Sequence, residues 1–138
     1  MIGEMIMIKW DESCCIGIDI LDQQHKELFG LCRQLKLILQ MPDGVDNIKD
    51  IIKLVCKFRE YATFHFYTEE NLMTDIDYPN IEEHKTLHNS FNKYITSLDM
   101  NSICIGKKND LKSLLHFSYG WIFEHVQGMD KDIENYIR

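Results

Sequence analysis

Five of the six histidines in this 138-residue chain, His25, His65, His84, His88 and His125, fall on apolar seams at helical spacing. Two carboxylates, Glu69 and Asp130, accompany them. His65 and Glu69 are four residues apart, and so are His84 and His88. That spacing sets each pair about 40° apart around an α-helix and one turn along it, so both members can reach one site. A single HxxxE or HxxxH pair is a weak signal, and a lone histidine on a seam is more often a satisfied core residue. The conjunction of seven candidate ligands on four helices is specific. A buried, unpaired Glu69 or Asp130 would cost several kcal/mol or take up a proton. Two metal cations would remove that cost. They would also explain the crowding of imidazoles, because neutral imidazole is a good ligand for iron, copper, zinc or nickel.

Four amphipathic stretches must position these groups. The first covers roughly 19–40, with Leu21, His25, Leu28, Cys32, Leu35 and Leu39 as its stripe, and Pro42-Asp43-Gly44 ends it. The second covers roughly 46–74, with Ile48, Ile51, Val55, Phe58, Ala62, His65, Glu69 and Leu72, and Asp77-Tyr78-Pro79 breaks it. The third opens on Asn80 as N-cap, with Glu83 three residues later as its capping-box partner. Its stripe is Ile81, His84, His88, Phe91, Ile95 and Leu98. After a loop around Gly106, the fourth covers roughly 109–126, with Leu111, Leu114, Ser118, Trp121 and His125. A short C-terminal turn or helix runs from Asp130 to Tyr136. Residues 1–18 show no sustained period and read as an N-terminal arm. The whole, 1–138, reads as one domain with its bundle over 19–138. The 3.5-residue repeat and short connections predict an all-α, up-down-up-down, left-handed four-helix bundle.

In that topology the start of the first helix, the end of the second, the start of the third and the end of the fourth share one end of the molecule. The seven polar residues then meet at one level. Asp130 is the exception in phase. It lies five residues past His125, about 140° away on a straight helix. Gly128, between them, is expected to break the helix and let the chain fold back. His116 lies nine residues before His125, about 180° around the helix. It is expected to face away and not to be a ligand.

Composition limits the function classes. A net charge of −7 argues against a nucleic-acid partner, which needs clustered Lys and Arg. Lys107 and Lys108 are the nearest approach to a basic patch and read as loop. No apolar run approaches the ~20 residues of a membrane span. Met1 to Ile8 is apolar but short, contains Glu4 and lacks a basic leader, so it reads as arm and not as a signal peptide. Five cysteines (Cys14, Cys15, Cys32, Cys56, Cys104) are odd in number and make no CxxC. That usage suits packing in a reducing cytoplasm. Carboxylate-rich di-iron bundles carry ExxH on two helices, and this chain has no ExxH. An imidazole-rich site with two carboxylates favours binding oxygen over oxidising a substrate.

These residues resemble the hemerythrin family, in particular its single-domain bacterial and archaeal members, the bacteriohemerythrins. The resemblance rests on Trp10, on GIDILDQQHKELF from Gly17 to Phe29 and on HFYTEENLM from His65 to Met73. It continues through Tyr78-Pro79, His84-xxx-His88 and HVQGMD from His125 to Asp130. It covers nearly the whole chain, and every ligand position is filled. It implies two iron ions with an oxo or hydroxo bridge. His84, His88 and His125 would hold one iron and His25 and His65 the other, with Glu69 and Asp130 bridging. The two-histidine iron would be open, and molecular oxygen would bind there. Leu28, Phe66, Trp121, Ile122 and Val126 flank the ligands and would make a dry wall around it.

The resulting expectation is reversible oxygen binding for storage, delivery or scavenging, without catalysis. Sensing through a separate protein partner, nitric oxide or peroxide chemistry at the same centre, and a zinc-bound structural bundle are the alternatives.

Overall fold

The computed structural model describes residues 16–42, 47–104 and 108–137. The arm up to residue 15 with Trp10, Cys14 and Cys15, the Asp43-Gly44 part of the first turn, and the Gly106 loop with Lys107 lie outside the described residues. Among the described residues there are helices and no strands: α1 (Asp19–Leu39), α2 (Ile48–Asp75), α3 (Ile81–Thr96), α4 (Met100–Cys104), α5 (Lys108–Glu124), a π-helical turn (His125–Asp130) and α6 (Lys131–Ile137). The long helices form a four-helix bundle, with α1 packed on α2 and α5, and α2 on α3. Aromatic stacking joins α3 to α5: Tyr94 lies on Phe117 with ring centroids 3.6 Å apart.

Local chemistry explains where these helices start and stop. Before α1, the Asp22 carboxylate accepts the backbone N–H groups of Ile16 at 2.8 Å and Gly17 at 3.2 Å. The chain turns there through Gly17 at φ 85°, a region open to glycine. α2 ends in a Schellman turn. The Tyr78 N–H reaches the Met73 carbonyl at 2.9 Å and the Asp77 N–H reaches that of Thr74 at 3.2 Å. Asp77 takes the left-handed position at φ 54°. Tyr78 and Met73, brought together by that turn, join Ile133 of α6 in a small second core. Pro79 then rules out continuation of the helix.

Three expectations are corrected. Asn80 does cap α3, but through its carbonyl, which accepts the His84 N–H at 3.1 Å; its side chain makes no cap bond. Its ψ of 25° is not the extended backbone that aims an N-cap side chain at the following amides, so the capping box with Glu83 does not form. Lys108 begins α5 instead of lying in a loop, and the connection before it contains α4. Ile48 is 44% exposed, as the first residue of α2, and burial of the seam begins at Ile51. The first seam is otherwise met in full: Leu21, His25, Leu28, Cys32, Leu35 and Leu39 are all buried.

Candidate metal centre

The seven candidate ligands come together as the bundle brings the four helix ends to one level. His25 stands in the second turn of α1, His65 and Glu69 in the second half of α2, His84 and His88 in the first half of α3. His125 and Asp130 are the first and last residues of the π turn. All seven are buried, at 5% exposure or less.

The π turn replaces the helix break expected at Gly128. Its i→i+5 hydrogen bonds each span one residue more than those of an α-helix, so the turn is wider and rotates less per residue. Residues five apart therefore share a face, and the His125 Nε2 and Asp130 Oδ1 atoms lie 3.0 Å apart. No fold-back is needed. The segment is held from beyond by α6, where the Tyr78 hydroxyl donates to Asp132 at 2.6 Å and the Tyr136 hydroxyl to the Asp77 carbonyl at 3.2 Å.

Two donor groups result, divided by the two carboxylates. In the first, the Nε2 atoms of His84, His88 and His125 lie 2.6, 2.9 and 3.1 Å from Glu69 Oε1. His84 Nε2 is also 2.9 Å from Asp130 Oδ1. In the second, His25 Nε2 lies 2.9 Å from Asp130 Oδ2 and 3.1 Å from His65 Nε2. His65 Nε2 is 3.3 Å from the other oxygen of Glu69, Oε2. Each carboxylate thus gives one oxygen to each histidine group.

Electrostatics show what this packing must resolve. Burial works against protonated His25 and His125. Hydrogen bonds and charge from Asp130 and Glu69 outweigh it and push the two imidazoles up to about 9 and about 10. His84 is raised against the same burial by the same two carboxylates. Burial leaves His65 lowered. Burial would also raise Glu69, but the His65 charge and hydrogen bonds from His125 and His25 hold it well below the carboxylate range. Asp130 is depressed too, with His125 and His25 overcoming its burial and the Glu69 charge. Protons on the imidazoles therefore balance two buried carboxylates when no cation does.

The same donors are spaced to hold a metal ion in each group. Cis ligands about 2.1 Å from a six-coordinate ion stand about 3 Å apart. The contacts among His84, His88, His125 and Glu69 Oε1 run from 2.6 to 3.1 Å. Within each group of four, His84/His88/His125/Glu69 and His25/His65/Glu69/Asp130, the donor atoms lie within 4.8 Å of one another. Comparison with known proteins agrees. Residues 16–137 match the family model of the hemerythrin HHE cation binding domain. The chain belongs to the hemerythrin family. It is 30% identical to a bacteriohemerythrin of Clostridium acetobutylicum over 126 residues, which cover 91% of this chain and 98% of that protein. It is 30% identical to a bacteriohemerythrin of Campylobacter jejuni, with 86% of each chain covered. A myohemerythrin of Theromyzon tessulatum is 24% identical, with 88% of this chain and 87% of the relative covered.

Two residues of this hemerythrin site escaped the sequence reading. The Gln24 amide oxygen accepts the His65 Nδ1 proton at 2.8 Å, and its nitrogen donates to Thr68 at 3.2 Å. Glu70 accepts from His88 Nδ1 at 2.7 Å. Gln24 was findable: it lies three residues after Leu21 and four before Leu28, a polar residue on the seam. Partners of this kind fix a ligand's tautomer and ring orientation, and losing one typically costs about 10–100-fold in metal affinity. Gln24→Ala is accordingly expected to weaken metal binding at the two-histidine group by that factor. Competition against a chelator of known affinity measures it, with far-UV dichroism reporting retained helix.

The expected wall residues are placed less symmetrically. Leu28, Phe66, Ile122 and Val126 are buried in one cluster, and Trp121 packs against it. Phe66 lies flat on His88 at 4.0 Å and Trp121 on His125 at 4.5 Å. Both thus brace the three-histidine group. His116 is exposed, away from the site.

Proposed function

We propose that this hemerythrin-family chain binds molecular oxygen reversibly at a non-haem di-iron centre, for storage, delivery or scavenging. His84, His88 and His125 would hold one iron, His25 and His65 the other, and Glu69 and Asp130 both. The observation that carries this reading is the division of each carboxylate between the two histidine groups. A pair of ferrous ions held by these residues would supply the two electrons that reversible oxygen binding needs.

The protein's part is asymmetry and dryness. The two-histidine group offers one imidazole fewer, so a metal ion held there would have a place for a small ligand. Leu28, Phe66, Ile122, Val126 and the half-buried Trp121 keep water from the donors, which favours binding over turnover. No helix among the described residues is long and apolar enough to cross a membrane. Among the described residues Cys32 and Cys56 form no disulfide, which fits a reducing compartment such as the cytoplasm.

The test is optical. The iron-loaded chain is reduced anaerobically, iron per chain is measured, oxygen is added and then swept out with argon. A visible charge-transfer band that appears and then disappears, at two irons per chain, is the expected result. Prompt irreversible oxidation would move the reading to sensing or redox turnover, and a chain that takes up no iron would end it.

A further inference from the structure

Two of the five candidate histidine ligands have a hydrogen-bond partner at Nδ1 among the described residues, and the two partners differ in charge. His65 meets the neutral amide of Gln24, and His88 the carboxylate of Glu70. The buried Nδ1 atoms of His25, His84 and His125 find none there. In every case Nε2 faces the donor groups. Nδ1 of His65 and of His88 must then carry the proton, so that Nε2 can offer its lone pair.

Glu70 reaches His88 because it follows Glu69 on α2. One residue rotates about 100° around a helix, so Glu69 faces the core while Glu70 faces α3. The Glu70 side chain is 30% exposed against 1% for His88, so its charge is only partly screened by solvent. Phe66, flat on the ring at 4.0 Å, leaves His88 one orientation, with its Nδ1–H edge on Glu70. A bond from imidazole N–H to an anion is shorter and stronger than one to an amide. It also makes the imidazole the stronger electron donor to whatever Nε2 binds.

We propose that Glu70 is a positioning residue that, through His88, makes the three-histidine side the more electron-rich half of the centre and lowers the reduction potential of the metal there. The neutral Gln24 gives the two-histidine side no such bias. This inference rests on the di-iron reading above. Hydrogen bonding to a ligand is a recognised lever on the potential of protein-bound iron.

Glu70→Gln keeps the acceptor and the shape but removes the charge; Glu70→Ala removes both. Mediated redox titration of the iron-loaded chains is expected to show Glu70→Gln with two irons and one of its steps easier to reduce. The shift should be at least tenfold in the one-electron equilibrium, about 59 mV. Titration with redox-inert zinc reads the same bond without electron transfer. There Glu70→Ala should lose tenfold or more at one of two sites, and Glu70→Gln should recover most of that loss. A Glu70→Gln potential equal to wild type, or a Glu70→Ala zinc affinity equal to wild type, overturns the inference. A wild-type chain that binds two zinc ions and no iron overturns the di-iron reading instead.

Discussion

Glu69→Gln is expected to take the chain from two iron ions towards none while leaving it helical. Glu69 is fully buried, and its Oε1 serves as the common neighbour of His84, His88 and His125, while its Oε2 faces His65. The amide nearly matches the carboxylate in size, so packing is kept. It offers one acceptor oxygen where the carboxylate offers two anionic ones. Both donor groups lose a ligand at once, and the remaining charge of Asp130 must serve two dications. The loss should exceed the roughly 10–100-fold that removal of an outer hydrogen-bond partner costs. Iron per chain after passage over a desalting column, with far-UV dichroism alongside, decides it. A variant that retained two irons would show that Glu69 does not bridge.

Removing the metal is expected to lower the thermal midpoint by roughly 10–20 °C at neutral pH. A ligand bound at a thousand times its dissociation constant stabilises the folded state by about 4 kcal/mol. For a chain of this length each kcal/mol is worth about 2–6 °C. The gap should depend on pH, with a definite sign. His25 and His125 in the metal-free protein are raised to about 9 and about 10, so their contribution is present at low pH and fades as pH rises through those values. Metal can bind only by expelling these protons. Its stabilising effect should therefore widen from pH 6 to pH 9. Differential scanning calorimetry of chelated and loaded protein at three pH values measures it. A gap that narrowed with rising pH would contradict the proton inventory of the site.

Much of this arrangement is legible in the sequence, because buried polar groups on an apolar seam carry a cost that demands a partner. His25, His65, Glu69, His84 and His88 were found by counting threes and fours, and the α2–α3 break by the Asp77-Tyr78-Pro79 signal. The place where counting failed is the π turn. Periodicity arithmetic assumes one fixed twist per residue, and no α-helix puts residues 125 and 130 on the same face. What holds the wider turn lies elsewhere in the chain, in the Tyr78–Asp132 bond and the Met73, Tyr78 and Ile133 contact. Tertiary contacts of that kind leave no local pattern. Glu70 was hidden for a different reason: it lies off the seam and part-exposed, where a charged residue needs no explanation. The capping box failed because backbone angles, and not residue types, decide whether an N-cap side chain can reach.

The π turn also sets how this segment can change in length. His65 and Glu69 show that a four-residue spacing on an ordinary helix brings an imidazole and a carboxylate together, with Nε2 and Oε2 3.3 Å apart. The five-residue spacing from His125 to Asp130 reaches an equivalent arrangement by widening one turn. Deleting one residue between them, and letting the turn relax to α, would leave histidine and aspartate on a common face. Inserting one would leave neither helix type able to align them. The stretch is thus open to shortening and closed to lengthening, an asymmetry that rests on backbone geometry and not on the identity of the residues between.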